Sequence, residues 1–184
     1  MVKIDPVWTA PGQQQVYREL LECMARPGRV GAADPALTDA SAALAVIATL
    51  VDNAVTFADP QGLLADAERA PLGYRPEGDA CADYVLLDGA LPPAASPRVG
   101  SLVAPERSTT LIVRVTGLER GTALHLTGPG IARDTRLPVD GLHPEWLPTR
   151  DRWVAGFPCG VDLILVSGDR FAALPRTTRV TGVQ

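Results

Sequence analysis

The run VDLILV (161–166) constrains this chain most: five of its six residues are apolar, and a run of that length reads as a buried strand. The chain then turns at SGDR (167–170) and returns as FAALPRTTRV (171–180), which carries two arginines, two threonines and a proline beside a core strand. That return has three explanations: an anion-binding site, a surface that meets another protein, or an internal pair that closes the fold. Asp162 offers the internal pair. With a three-residue loop (168–170), antiparallel pairing sets Leu165 opposite Ala173, Ile164 opposite Leu174 and Asp162 opposite Arg176. A two-residue loop instead sets Asp162 opposite Pro175 and breaks the pair. A one-residue slip turns side chains to the wrong face, so a charged clasp would fix the register. Pro175 cannot donate to a ladder, so the returning strand is expected to be an edge or to carry a bulge. An exposed edge is a template for a partner.

The rest of the chain alternates helical and strand patterns. Residues 11–28, PGQQQVYRELLECMARPG, form the clearest helix, with Val16, Leu20 and Met24 on one stripe and Tyr17 and Leu21 beside it. Residues 38–52 form a second helix, capped by Thr38 or Ser41 and apolar on most sides, which implies burial between layers. AVTF (54–57) and DYVLL (83–87) read as strands, with a weaker helix over 61–69 between them and a proline-rich connection over 90–100. STTLIVRV (108–115) and ALHLT (123–127) are expected to form a hairpin around GLERG (117–121). HPEWLPTRDRWV (143–154) reads as a broken helix, with Pro148 limiting its length. Early helices and strands spread through the chain predict one α/β domain over 1–184, a mixed sheet flanked by helices.

Composition excludes several kinds of function. A net charge of −4 and a pI near 5.1 give no basic face for nucleic acid. No apolar run reaches the roughly 18–20 residues of a membrane span, and the N-terminus lacks a signal-peptide pattern, so a cytoplasmic protein is expected. Cys23, Cys81 and Cys159 form no CxxC and read as reduced packing residues. The only lysine is Lys3, which leaves Schiff-base chemistry with pyridoxal phosphate almost without a candidate. His125 and His143 are isolated, no GxSxG elbow occurs, and neither histidine has the spacing of a metal site. LTGPGIARDTR (126–136) is the one glycine-rich turn after a strand, with Gly128 and Gly130 in it and Arg133 and Arg136 following. It matches no phosphate-loop pattern and reads as a tight turn before an anion site.

Four segments in order resemble one family: MARPGRV (24–30), APERSTTLIVRV (104–115), LTGPGI (126–131) and GFPCGVDLILVSGDRFAALPRTTRV (156–180). They resemble PhnH, the H subunit of the bacterial carbon–phosphorus lyase core complex, over nearly the whole chain and most closely from residue 104 onward. Cys159 stands where the family is expected to carry an aliphatic residue, which argues against a nucleophilic cysteine. The resemblance implies phosphonate catabolism, in which other subunits displace adenine from ATP with an alkylphosphonate to give a ribose 1-phosphonate 5-triphosphate. A further subunit with a radical iron–sulfur centre later cleaves the carbon–phosphorus bond. For the H subunit it implies no catalytic residue, cofactor or metal of its own. It also implies a homodimer that joins the G, I and J subunits, and a fold similar to the large domain of pyridoxal-phosphate-dependent transferases without their cofactor site. The expectation is therefore a non-catalytic subunit acting through assembly. Arg176, Thr177, Thr178 and Arg179 are its candidate interface or anion-binding residues, and Asp162 their internal support. The alternative is a nucleotide- or phosphonate-binding transferase subunit that holds phosphate around Gly128, Gly130 and Arg133.

Overall fold

The computed structural model describes residues 5–33, 40–133 and 135–182. Helix α1 (Ala10–Ala25) starts at Thr9, whose hydroxyl accepts from Gly12 N, and a proline occupies its first turn. Its buried stripe is Val16, Leu20 and Cys23, with Met24 packed at the margin. Tyr17 and Leu21, expected beside the stripe, turn outward and are 47% and 49% exposed. Helix α2 (Ala42–Leu50) is capped by Ser41 Oγ, which accepts from Leu44 N. Thr38, the other proposed cap, lies outside the described residues. Every residue from Ala42 to Ala48 is buried, as an all-round apolar helix requires.

The main sheet has seven strands. Parallel strands β2 (Thr56–Ala58), β3 (Arg75–Pro76), β4 (Tyr84–Asp88), β5 (Thr110–Arg114) and β8 (Asp162–Ser167) are joined by β9 (Arg170–Leu174), antiparallel to β8, and then by β1 (Val30–Ala32), antiparallel to β9. The spatial order is β1-β9-β8-β5-β4-β2-β3, the mixed sheet that the sequence predicts. A second sheet, not anticipated, holds β6 (Gly117–Thr127), β7 (Thr135–Asp140) and β10 (Arg179–Gly182) in the antiparallel order β10-β6-β7.

Three local expectations need correction. GLERG is not a turn: it is the first half of β6, and its pairing with β7 is irregular between Gly117 and Thr122. The β5–β6 hairpin cannot form, because β5 is already flanked by β4 and β8. Helix α3 covers only Asp66–Arg69, because the Asp59 carboxylate draws Leu63 N and Leu64 N into a turn ahead of it. Helix α4 (Trp146–Val154) is unbroken: Pro148 falls in its first turn, where a missing N–H removes no helical bond.

The two faces of the main sheet bury different partners. One face sets Leu86, Ile112, Ile164, Val166 and Phe171 against α1 and α2. The other sets Val85, Leu87, Leu111, Val113, Leu163 and Leu165 against the small sheet and Trp146 of α4. The last crossing between these layers, from β9 to β10, is the turn that holds the candidate site.

Candidate functional site

The register of β8 and β9 runs from Ser167↔Arg170 to Leu163↔Leu174, so the hairpin has a two-residue turn, Gly168–Asp169. Gly168 adopts φ +55°, which the first position of such a turn favours. The three-residue register is thereby corrected: Leu165 faces Ala172 and Ile164 faces Ala173. Strand β9 is not an edge, since it lies between β1 and β8. The chain leaves the sheet at Pro175, whose missing N–H therefore costs no ladder bond. Residues 175–178 then turn, with Thr178 N donating to Pro175 O, and lead into β10 of the other sheet.

The Asp162–Arg176 clasp exists, but the turn makes it and not the ladder. Asp162 Oδ1 accepts from the Arg176 backbone N–H at 2.7 Å and from Nε at 3.3 Å, and Oδ2 accepts from Nη2 at 2.6 Å. Arg176 Nη1 donates to the carbonyls of Pro105 and Pro158, and Nη2 donates also to Ser108 Oγ. All five guanidinium donors are thus engaged. Arg176 fastens the segment around Pro105, the segment around Pro158 and the start of β8 to one point. The tips of those two segments expose Leu102 (77%), Val103 (95%) and Phe157 (68%).

A second arginine at this turn was not singled out in the sequence. Arg150 of α4 is only 1% exposed, and its Nη2 donates to Pro175 O at 2.7 Å and Thr178 O at 3.0 Å. Its Nε and Nη1, and the buried Thr178 Oγ1, have no hydrogen-bond partner among the described residues. Burial draws the Arg150 pKa below the usual arginine value, against the opposing charges of Asp151 and Asp162. The available signal was its spacing: Arg150 falls four residues after Trp146 and three before Trp153, on the helix's apolar stripe.

These groups border a cavity of about 660 Å³, lined by Arg176 to Thr181 along one side, by Arg150, Val154 and Phe157 along another, and by Pro129. The candidates Arg176, Thr177, Thr178 and Arg179 are therefore brought together. Among the described residues of the glycine-rich loop, only Pro129 reaches the cavity. Gly128 and Gly130 permit close packing behind it: a Cβ on Gly128 would lie 2.8 Å from Thr177 O, and one on Gly130 would collide with Ala25 O. Both neighbours are carbonyls, so this packing presents oxygen rather than N–H to the loop. Arg133 is exposed and is not part of the cavity wall.

Other reactive groups stand apart. His125 lies on β6 between buried Leu124 and Leu126, half-buried on the opposite side of the strand. His143 Nδ1 accepts from Glu145 N in a loop. Burial pushes the Cys23 thiol up to about 11, far from a nucleophile's range. Among the described residues no group of three or more His, Cys, Asp or Glu side chains is placed to hold a metal, and no helix is long and apolar enough to cross a membrane.

The family described as bacterial phosphonate metabolism protein (PhnH) matches residues 6–181. HtxG of Stutzerimonas stutzeri, whose name assigns it provisionally to C-P lyase as a subunit, is 45% identical over 175 residues, covering 95% of this chain and 88% of its own. The alpha-D-ribose 1-methylphosphonate 5-triphosphate synthase subunit PhnH of Rhizobium meliloti (strain 1021) is 35% identical over 193 residues, covering 96% of this chain and 92% of its own. With a match of this extent, and with its signature segments converging on the turn and its surroundings, the chain belongs to the PhnH family.

Proposed function

We propose that this protein is a subunit of a carbon–phosphorus lyase system in phosphonate catabolism, and that it contributes a binding surface rather than a reaction centre. The observation that carries this is the family match over residues 6–181, together with relatives named as subunits of C-P lyase and of the triphosphate synthase. In this reading the chain works as one domain in the cytoplasm, as a homodimer joined to the G, I and J subunits. Its main layer is akin to the large domain of pyridoxal-phosphate-dependent transferases but takes no cofactor.

The geometry supports a surface role in one respect. Arg176 holds two loops whose tips expose Leu102, Val103 and Phe157, apolar side chains with high exposure on segments that the clasp keeps rigid. The core of an interface is more apolar than the rest of a protein surface and is enriched in aromatic residues, which suits Phe157 best of the three. Arg176 itself is a poor probe of this idea, because removing it loosens both loops and strands Asp162.

The test is co-purification from the host of the tagged protein with its G, I and J subunits, for wild type and for Leu102→Asp combined with Phe157→Asp. Both positions are solvent-exposed, so the double variant should melt within a degree or two of wild type. Wild type should bring the other subunits with it and the folded variant should lose them. Wild type arriving alone overturns the subunit reading; a variant that keeps every partner moves the interface elsewhere on the molecule.

A further inference from the structure

Two arginines meet the same turn, and they differ in what they lack. Arg176 has a carboxylate, Asp162, and every donor engaged. Arg150 is more deeply buried, has only two main-chain carbonyls as acceptors, both on Nη2, and leaves Nε and Nη1 unpartnered. Buried cations are ordinarily paired or fully hydrogen-bonded, because desolvation is costly otherwise. Water would satisfy the N–H groups but would bring no compensating charge. Next to Arg150, Thr178 also holds a buried hydroxyl with no partner. Both residues line the 660 Å³ cavity, which is open to solvent, much larger than one anion, and walled in part by Val154 and Phe157. Arg179 adds an exposed cation at its rim, and Asp151 an exposed carboxylate.

We propose that this cavity binds the phosphoryl or phosphonyl head group of a small organic molecule. On binding, Arg150 and the Thr178 hydroxyl, whose unpartnered atoms lie sealed just beneath the cavity wall, turn toward the cavity and donate to its oxygens, and Val154 and Phe157 face its organic part. A guanidinium fork by itself suits carboxylate and phosphate alike, but a phosphoryl or phosphonyl group offers three acceptor oxygens, so donors from a helix and from a turn can each meet one. The inference does not rest on the assembly reading. It also differs from a site around residues 126–136, since among the described residues of that loop only Pro129 touches the cavity.

Arg150→Ala is an unsafe test because Arg150 ties Pro175 O and Thr178 O. Thr178→Val is the informative variant: it keeps the shape, removes a hydroxyl that bonds nothing in the protein, and should leave the melting temperature equal or higher. The experiment is calorimetric titration of the full chain with phenylphosphonate, phenyl phosphate and benzoate at matched ionic strength. The expected result is saturable one-to-one binding of a phosphorus compound, with affinity about tenfold lower in folded Thr178→Val, and no saturation by benzoate over the same range. Whichever phosphorus compound binds more tightly identifies the head group as ester or phosphonate. Absence of saturable binding by both, undiminished binding in Thr178→Val, or equal binding of benzoate each overturns the proposal. Any of these can occur while co-purification succeeds, so the two readings fail separately.

Discussion

The two sides of the main sheet are built on different terms. On the helix side, α1 and α2 press Phe171, Ile164, Ile112 and Ile47 into a core cluster made of apolar side chains. On the small-sheet side, the apolar cluster around Leu124, Leu126 and Trp146 is bordered by buried polar groups, Arg150, Thr149 and Thr178, and by the Asp162–Arg176 clasp. The first arrangement stabilises chiefly by burial, which is nondirectional and tolerant, with the Gln13 side-chain amide donating to Ala48 O between the helices. The second depends on specific partners, and partial satisfaction there is costly. A layer whose polar groups are fixed in direction and incompletely satisfied is where binding is to be looked for; the helix layer is scaffold.

The largest effect is expected on the scaffold side. Phe171 is fully buried with its ring against Cys23 and Gly31, so Phe171→Ala should cost about 3–5 kcal/mol through lost burial and a cavity. Denaturant midpoints measure it, and the loss should be insensitive to salt. On the opposite side, Asp162→Ala removes three hydrogen bonds and strands a guanidinium that is 17% exposed. It should cost about 2–4 kcal/mol. Adding Arg176→Met to that variant should recover part of the loss, because the second change removes the stranded charge. A double variant no better than Asp162→Ala would mean that the clasp matters through its loop contacts to Pro105 and Pro158, and the contrast between the layers would sharpen accordingly.

Cysteine chemistry probes the same contrast more gently. Cys23 is sealed under the helix layer and its thiol is pushed up to about 11, whereas Cys81 is exposed in a loop. At about pH 8 a maleimide should label Cys81 within minutes and Cys23 only as fast as the protein unfolds. Rapid labelling of Cys23 in the native protein would show that the helix layer opens locally.

What could be read from the residues follows the same division. The helix layer was legible because burial leaves a periodic record: the all-round apolar α2, the stripe through Val16 and Leu20, and the strand VDLILV are patterns of side chains in sequence order. Even there the stripe was misaligned, since Cys23 rather than Tyr17 or Leu21 completes it. The small-sheet side was less legible because its contacts are long-range. Nothing local distinguishes GLERG as a strand start from GLERG as a turn; the occupied flanks of β5 decide it. The Asp162–Arg176 pair follows in the sequence from a ladder register that does not occur, yet the pair stands because a proline exit from β9 brings Arg176 back over the strand start. Arg150 gives little local signal because an arginine in a charged stretch ordinarily faces water, and only its place on the Trp146–Trp153 stripe marks it as buried.

Asp83 gives the smallest and most exacting test, for it is a clasp like Asp162 at the same end of the parallel strands, with only β5 between β4 and β8. It stands at the foot of β4, where Oδ2 accepts from Thr56 N and Thr56 Oγ1, and Oδ1 accepts from Arg98. Burial pushes its pKa up, but the bonds from Thr56 and the Arg98 guanidinium together outweigh this and hold the carboxyl below its usual value. A group whose folded pKa is depressed stabilises the fold fully above its unfolded value, about pH 4, and loses that contribution as pH falls through the lower folded value. The side chain is 37% exposed, so solvent screening keeps the effect under about 1 kcal/mol. Asp83→Asn keeps an amide oxygen for Thr56 but loses the charge facing Arg98. The gap in stability between wild type and Asp83→Asn should therefore be widest above about pH 5 and close as pH falls through the acid range. A gap that stays constant with pH would assign the effect of Asp83 to hydrogen-bond geometry alone, and would leave the Asp162–Arg176 clasp as the pair whose charge has a distinct task.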